Sequence, residues 1–279
     1  MKYKIEKNTV QETLIIPLFA RKVCSELYPD LYRDETAVRL IDEIDYDFSE
    51  AEKKSRSLMQ RFGSLEVAMR QNDLAWEVRD YLKTHPNAAV VNLGCGLDST
   101  GRACDNGSCK IYNLDFPDVI TVRNELLPAG EREENIPCDL NETAWFSQID
   151  ASSGAVFFAS GVFYYFLTEQ VKALVQRMAD AFPGGVLVFD AANRTAVKMI
   201  AKTWLKSAKI KDVGAYFAVS DAQKELSPWG SRLRVTSRGY MLGYNDLKDP
   251  SVSGFFRFLA RVGDEMMKMQ IVKIGFGGK

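Results

Sequence analysis

The stretch Ala88-Ala89-Val90-Val91-Asn92-Leu93-Gly94-Cys95-Gly96-Leu97-Asp98-Ser99 decides the fold. Its first half is a short apolar run of strand type, and it passes straight into two glycines separated by one residue. Glycine serves where a chain must turn sharply and where a ligand approaches the backbone closely, because a side chain there clashes or forbids the dihedrals. A strand, a glycine turn and then polar residues able to open a helix (Asp98, Ser99, Thr100) are the parts of a nucleotide crevice. The same pattern also arises as a plain tight turn with no ligand.

Working outward, apolar runs alternate with amphipathic stretches. Strands are expected at Ala88 to Leu93, Lys110 to Leu114, Asn135 to Cys138, Ala155 to Ser160, Gly185 to Asp190, Leu233 to Leu242 and Met267 to Ile274. Helices are expected at Pro117 to Leu127, Thr168 to Ala181, Arg194 to Lys206 and Phe255 to Asp264. Such alternation predicts an α/β fold with a doubly wound, mostly parallel, Rossmann-like sheet of seven strands. Upstream, residues 1-86 read as helices only, at Thr9 to Tyr28 with a break at Pro17, Asp34 to Ile44, and Leu65 to Lys83. They form an N-terminal helical cap, part of the same domain as the cofactor-binding unit at 87-279.

Asp115 ends the second strand about twenty residues beyond the glycines, where a carboxylate accepts hydrogen bonds from both ribose hydroxyls. It equally suits the start of a helix before Phe116-Pro117, and the two roles are compatible. Asp139-Leu140 follows the third strand, either as an adenine-binding corner or as a turn. A dinucleotide fingerprint calls for a third glycine where Ser99 stands, so a nicotinamide oxidoreductase is the weaker reading.

Val91 to Ser99 resembles the NLGxGLDT motif of the leucine carboxyl methyltransferase family, whose bacterial members include O-methyltransferases of polyketide biosynthesis. Further matches run in order: Thr13 to Lys22, Arg33-Asp34, Val67 to Arg70, Leu114 to Val119, Cys138-Asp139-Leu140 and Ala159 to Leu167. The resemblance implies S-adenosylmethionine as cofactor and a small-molecule methyl acceptor. It implies a cofactor site of Arg70, Asn92, Gly94, Cys95, Gly96, Asp98, Asp115, Phe116, Asp139, Leu140 and Ser160, with Arg70 clamping the methionine carboxylate. Ser160 departs from the family, which often has an acid there. A catalytically idle binder of adenosylmethionine or adenosylhomocysteine is the alternative that this departure favours.

Acceptor chemistry is expected at the same edge, from Tyr164 and Tyr165 as catalytic candidates, with Asp190 and Asn193 nearby. The segment Trp229 to Phe258 is expected to shape the acceptor pocket. His85, the single histidine, falls at the opposite edge and reads as a loop residue. With 36 Lys+Arg against 37 Asp+Glu there is no basic excess for nucleic acid. No apolar run reaches membrane-spanning length, and a cytoplasmic location is expected. Five cysteines without regular spacing predict reduced thiols, and Cys104 and Cys109 lack a second pair to complete a metal site.

Overall fold

A computed structural model describes residues 2–5, 10–200 and 216–277. A two-residue strand β1 (Tyr3–Lys4) precedes α1 (Val10–Leu27) and α2 (Glu35–Glu43), and pairs in parallel with β2 (Ile44–Asp45). Then follow α3 (Ser49–Ser55) and α4 (Leu58–Leu82). The expectation of helices alone misses this small sheet, since two residues carry no periodicity, and it misses α3, which has no buried residue to mark a face. It also misplaces a break at Pro17: α1 is continuous through it. An interior proline costs about 3 kcal/mol. Here Ile15, Leu18, Phe19 and Val23 are buried around it against Leu40, Ile41 and Leu126, and at ~1.5–3 kcal/mol each they outweigh that cost.

From Ala89 the chain alternates: β3 (Ala89–Leu93), α5 (Thr100–Ala103), β4 (Lys110–Asp115), α6 (Pro117–Leu126), β5 (Glu133–Pro137), β6 (Ala155–Ala159), α7 (Thr168–Ala181), β7 (Val186–Ala191) and α8 (Arg194–Ile200). It closes with α9 (Ala222–Leu226), β8 (Leu233–Gly239), α10 (Gly254–Met266) and β9 (Gln270–Phe276). The rest of the helix expected as far as Lys206 lies outside the described residues. The seven strands stand in the order β5-β4-β3-β6-β7-β9-β8, parallel from β5 to β7, with β9 antiparallel to both neighbours. The expected doubly wound, mostly parallel sheet is therefore the observed one. β5 begins two residues before the expected strand because Glu133 and Glu134 sit on an edge, where polar side chains are tolerated.

One face of the sheet buries Leu93, Phe157, Phe189 and Trp145 under α7, and the other buries Val90, Phe158 and Val188 under α4. α4 is enclosed on most sides, so its charged residues do not all face solvent: Asp73 and Glu77 are buried. Asp73 Oδ2 accepts the Met241 amide at 2.7 Å, and Glu77 Oε1 accepts the Tyr244 hydroxyl at 2.7 Å, fastening the turn after β8 to the centre of the molecule. Burial raises the Asp73 carboxyl to about 8.

Candidate functional site

Strand order reverses between β3 and β6, and in open parallel sheets ligands settle at the carboxyl ends of strands flanking such a reversal. Register decides what stands there. Leu93 pairs with Leu114 and with Ala159, and Ala159 pairs with Phe189. The next residues, Gly94, Asp115, Ser160 and Asp190, therefore lie side by side along one edge.

Gly94 and Gly96 adopt left-handed backbone, φ +67° and +46°. A Cβ on Gly94 would lie 2.6 Å from Val162 Cγ2, and one on Gly96 3.0 Å from Leu14 Cδ2. The Gly96 amide donates to Asp115 Oδ2 at 2.8 Å, and the Phe116 amide to Oδ1 at 2.8 Å. Asp115 thus braces the glycine turn, while Phe116 stands at the head of α6 with Pro117 at its first turn. Burial raises the Asp115 carboxyl against the opposing pull of these two amides.

Several motif residues point inward. Asp98 Oδ1 accepts the Thr100 amide at 2.8 Å, Oδ2 accepts Asn92 Nδ2 at 3.1 Å, and the buried Arg21 guanidinium lies 3.4 Å away while also pairing with Asp34 at 3.0 Å. Cys95 is buried, and desolvation pushes its thiol upward. Asn92, Cys95 and Asp98 therefore shape the turn with their side chains turned away from the crevice. Asp139 Oδ1 accepts the Asn141 amide at 2.9 Å, the turn geometry that its sequence also allowed, and Leu140 beside it is buried.

The sequence reading passes over Arg123. Its guanidinium is buried and donates to the Gly96 carbonyl at 2.9 Å, to the Asp98 carbonyl at 2.8 Å and to Asn135 Oδ1 at 3.1 Å. It lies on the buried side of α6 with Val119, Val122 and Leu126, and an arginine inside that spacing was the available signal. Arg123→Met should keep the packing but free both turn carbonyls. An expected loss of about 2–4 kcal/mol in urea unfolding, with weaker adenosylhomocysteine binding by calorimetry, checks this.

Arg70 reaches across from α4: its Nη1 lies 3.1 Å from Asp190 Oδ2, and the Gly161 amide donates to Asp190 Oδ1 at 2.6 Å. The Asp190 side chain is only 1% exposed. Three buried polar atoms here have no hydrogen-bond partner among the described residues: Arg70 Nε, Ser160 Oγ and Tyr164 Oη. Tyr164 Oη sits beside Asp190 without hydrogen-bond geometry, and burial drives its proton affinity well up. Tyr165 is 44% exposed, and Phe163 turns into the core against Phe189. Tyr240 faces Arg70, Asp190 and Glu66. Asn193 is not part of this cluster, since it donates to the Met266 carbonyl and accepts the Ala196 amide. Trp229, expected to line the acceptor pocket, instead packs against Phe217 in the sheet core.

Among the described residues no group of three His, Cys, Asp or Glu side chains is placed to hold a metal, and all five cysteines are free. Cys104 and Cys109 are buried in the core. His85 stacks on Tyr81, with ring centroids 4.2 Å apart, at the far end of α4.

Residues 15–179, more than half of the chain, match the family described as leucine carboxyl methyltransferase. The chain belongs to that family. Among its relatives is the tetracenomycin polyketide synthesis O-methyltransferase TcmP of Streptomyces glaucescens, 28% identical over 188 residues, which are 67% of each chain. The S-adenosyl-L-methionine-dependent methyltransferase dpfgK of Gibberella zeae is 26% identical over 280 residues, covering 94% of this chain and 92% of its own. The fold is shared with a duf574 family protein of Streptomyces avermitilis (TM-score 0.58, 12% identity, covering 92% and 96%). It is shared too with the plantazolicin methyltransferase BpumL solved with S-adenosylhomocysteine (0.52, 12% identity, 96% and 98%). This methyltransferase depends on S-adenosylmethionine, which sets aside the nicotinamide alternative.

Proposed function

We propose that the chain moves the methyl group of S-adenosylmethionine to an oxygen, of a carboxylate or a hydroxyl, on a small-molecule acceptor. The observation that carries the reading is the cluster of partnerless buried atoms Arg70 Nε, Ser160 Oγ and Tyr164 Oη at the crevice edge. Buried polar groups are nearly always paired, so a cluster left open at a sheet's ligand edge is built for a polar ligand. The name of TcmP as an O-methyltransferase supports oxygen as the receiving atom.

In this reading the uncovered backbone at Gly94 and Gly96 lies under the cofactor, Asp115 holds the ribose, and Phe116, Asp139 and Leu140 frame the adenine. Asn92, Cys95 and Asp98 hold the turn in shape, and Ser160 lies beside the methionine end. Arg70 meets the methionine carboxylate with the part of its fork that Asp190 leaves over. Asp190 supplies a carboxylate in register beside Ser160, where the family's acid is missing, which weakens the idle-binder reading. The bound cofactor supplies an electrophilic methyl group on a sulfonium. The chain's share is to align an acceptor oxygen with that carbon and to keep water out, with Tyr164 and Tyr165 bordering the acceptor. The free thiols suit the reducing cytoplasm.

Incubation with a panel of small carboxylic acids, phenols, amines and thiols, read by mass spectrometry, tests this. Methyl esters or ethers are expected. Transfer to nitrogen or sulfur alone would refute the oxygen assignment, and adenosylhomocysteine binding with no transfer at all would favour the idle binder. Prolonged treatment with EDTA should leave the rate unchanged, because no ligand set for a divalent ion stands among the described residues; loss of activity restored by a metal would count against the scheme.

A further inference from the structure

α4 runs the length of β7. Its Tyr81 hydroxyl donates to the Gly184 carbonyl just before that strand, and Arg70 meets Asp190 at the other end. One helical turn further toward the start of α4, about 6 Å beyond Arg70 and on the same face, stands Glu66. The turn thus carries Glu66 past the strand ends, to the level where an acceptor must lie if Arg70 holds the amino-acid end of the cofactor.

We propose that Glu66 is the general base of the acceptor half of the site and that the acceptor is a neutral aromatic hydroxyl rather than a carboxylate. This rests on the oxygen-methylating function proposed above and narrows it.

Glu66 is half-buried and makes no hydrogen bond or ion pair with any described residue, so its carboxyl is free to serve a ligand. The charged groups facing it are Arg70 on its own helix and Asp264 on α10, with Asp190 of β7 behind Arg70; the phenols of Tyr240 and Tyr164 complete the surroundings. Arg70 is the single cation of this set and is already engaged by Asp190. A carboxylate acceptor would therefore find no free cation to meet it, and once Glu66 and Asp264 are ionised, above about pH 8, it would enter among three acids. A neutral hydroxyl meets no such barrier. Tyr164, 4% exposed with its hydroxyl unpartnered, adds a polar contact beside the same space. The wall is aromatic as well, with Tyr164, Tyr165 and Tyr240, and with Phe62 one turn before Glu66 packed on Phe256 of α10.

The acid strength fits the task. Burial lifts Glu66 to about 8, offset in part by Arg70, while Asp264 lies at about 7. A base near 8 is far better matched to a phenol near pKa ~10 than an ordinary glutamate near ~4.3. In the step, Glu66 takes the hydroxyl proton as an oxygen lone pair forms the new O–CH3 bond. The S–CH3 bond breaks with its electron pair left on sulfur, giving the thioether S-adenosylhomocysteine, and Glu66 passes the proton to water before the next turnover.

The matched probes 1-naphthol and 1-naphthoic acid, identical in ring and different in reacting group, test this in the presence of saturating adenosylhomocysteine by calorimetry and in turnover by mass spectrometry. At pH 9 the wild type should bind 1-naphthol at least ~tenfold more tightly than naphthoate, and Glu66→Gln, by removing the repelling charge, should shrink that gap below ~threefold. Turnover of 1-naphthol should rise as pH passes about 8, as the base loses its proton. Glu66→Gln should cut kcat about a hundredfold or more and abolish that limb, while Glu66→Asp recovers part of the rate. Preferred methylation of naphthoate, failure of 1-naphthol to bind or react, or a Glu66→Gln enzyme with wild-type kcat and pH profile would each overturn the proposal. Methylation of naphthoate would leave the oxygen-methylating function standing, whereas transfer only to 1-naphthylamine or 1-naphthalenethiol would remove both. Unchanged adenosylhomocysteine affinity in each variant confirms that it has folded.

Discussion

Arg70→Ala is expected to lose stability and cofactor affinity together, and a second substitution should separate the two losses. The Asp190 side chain is 1% exposed and has Arg70 as its cation. Removing that cation leaves a buried charge with the Gly161 amide as its remaining contact, a loss of about 3–5 kcal/mol, or roughly ten degrees in Tm for a chain of this size. Arg70→Ala/Asp190→Asn should recover most of that stability, because the orphaned charge is gone. It should not recover binding. Adenosylmethionine affinity should stay down by roughly thirtyfold to a thousandfold in both variants, since the charge-assisted contact with the cofactor carboxylate is missing. Decarboxylated adenosylmethionine, which lacks that group, should bind the double variant nearly as well as the wild type, and Arg70→Lys should restore only part of the affinity because an ammonium cannot make a two-pronged contact. Equal weakening of both ligands in the double variant would reduce Arg70 to a structural partner of Asp190.

The second large effect concerns Gly96. A valine there meets left-handed backbone, which disfavours a side chain by about 1–2 kcal/mol, and its Cβ stands 3.0 Å from the tip of Leu14, a flexible end that can yield. The fold should survive with a loss of about 1–3 kcal/mol in urea unfolding. The ligand side has less room to adjust, because the Gly96 amide anchors Asp115 and the bare backbone is where the cofactor must lie. Adenosylhomocysteine affinity should fall by more than ~hundredfold, equivalent to ~2.7 kcal/mol. Calorimetry that finds equal affinity in Gly96→Val and wild type would mean that the cofactor does not rest on this turn.

Much of this architecture could be read from the chain because it is encoded locally. The run from Val90 to Leu93 and the left-handed turn at Gly94 and Gly96 are properties of neighbouring residues, and so is the alternation that places α7 at Thr168–Ala181. What escaped depends on distant partners. Pro17 signals a break by its own chemistry, and only the packing of Ile15 and Leu18 against Leu40 and Leu126 overrules it. Asp98 sits in the most legible motif, yet its carboxylate turns toward Arg21, 77 residues before it, and takes the Asn92 side chain with it. The far side of the site gathers Glu66, Arg70, Tyr164, Asp190 and Tyr240 from four separate elements, and no spacing along the chain connects them. The family resemblance alone points to Arg70, which by its helix spacing reads as one solvated charge among many, and nothing along the chain announces its pairing with Asp190, 120 residues away.

The position of β9 has a consequence for the order in which the molecule is made. The strands that lead into the glycine turn and Asp115, β3 and β4, pair with each other across a short connection, whereas β6, which leads into Ser160, pairs with β3 only after β4 and β5 have been made, Ala89 lying opposite Ala155. β8 has no neighbour in the sheet except β9, which enters between it and β7, so the segment that brings Tyr240 and Asp264 to the site is tied to the sheet only when residues 270–276 arrive. β3 and β4 are thus the local pairing of the sheet, and β8 with the segment after it is a later addition. Once there, it is held by the Met241 amide on Asp73 and the Tyr244 hydroxyl on Glu77, so the last segment to arrive is clamped to α4 as well as to β9.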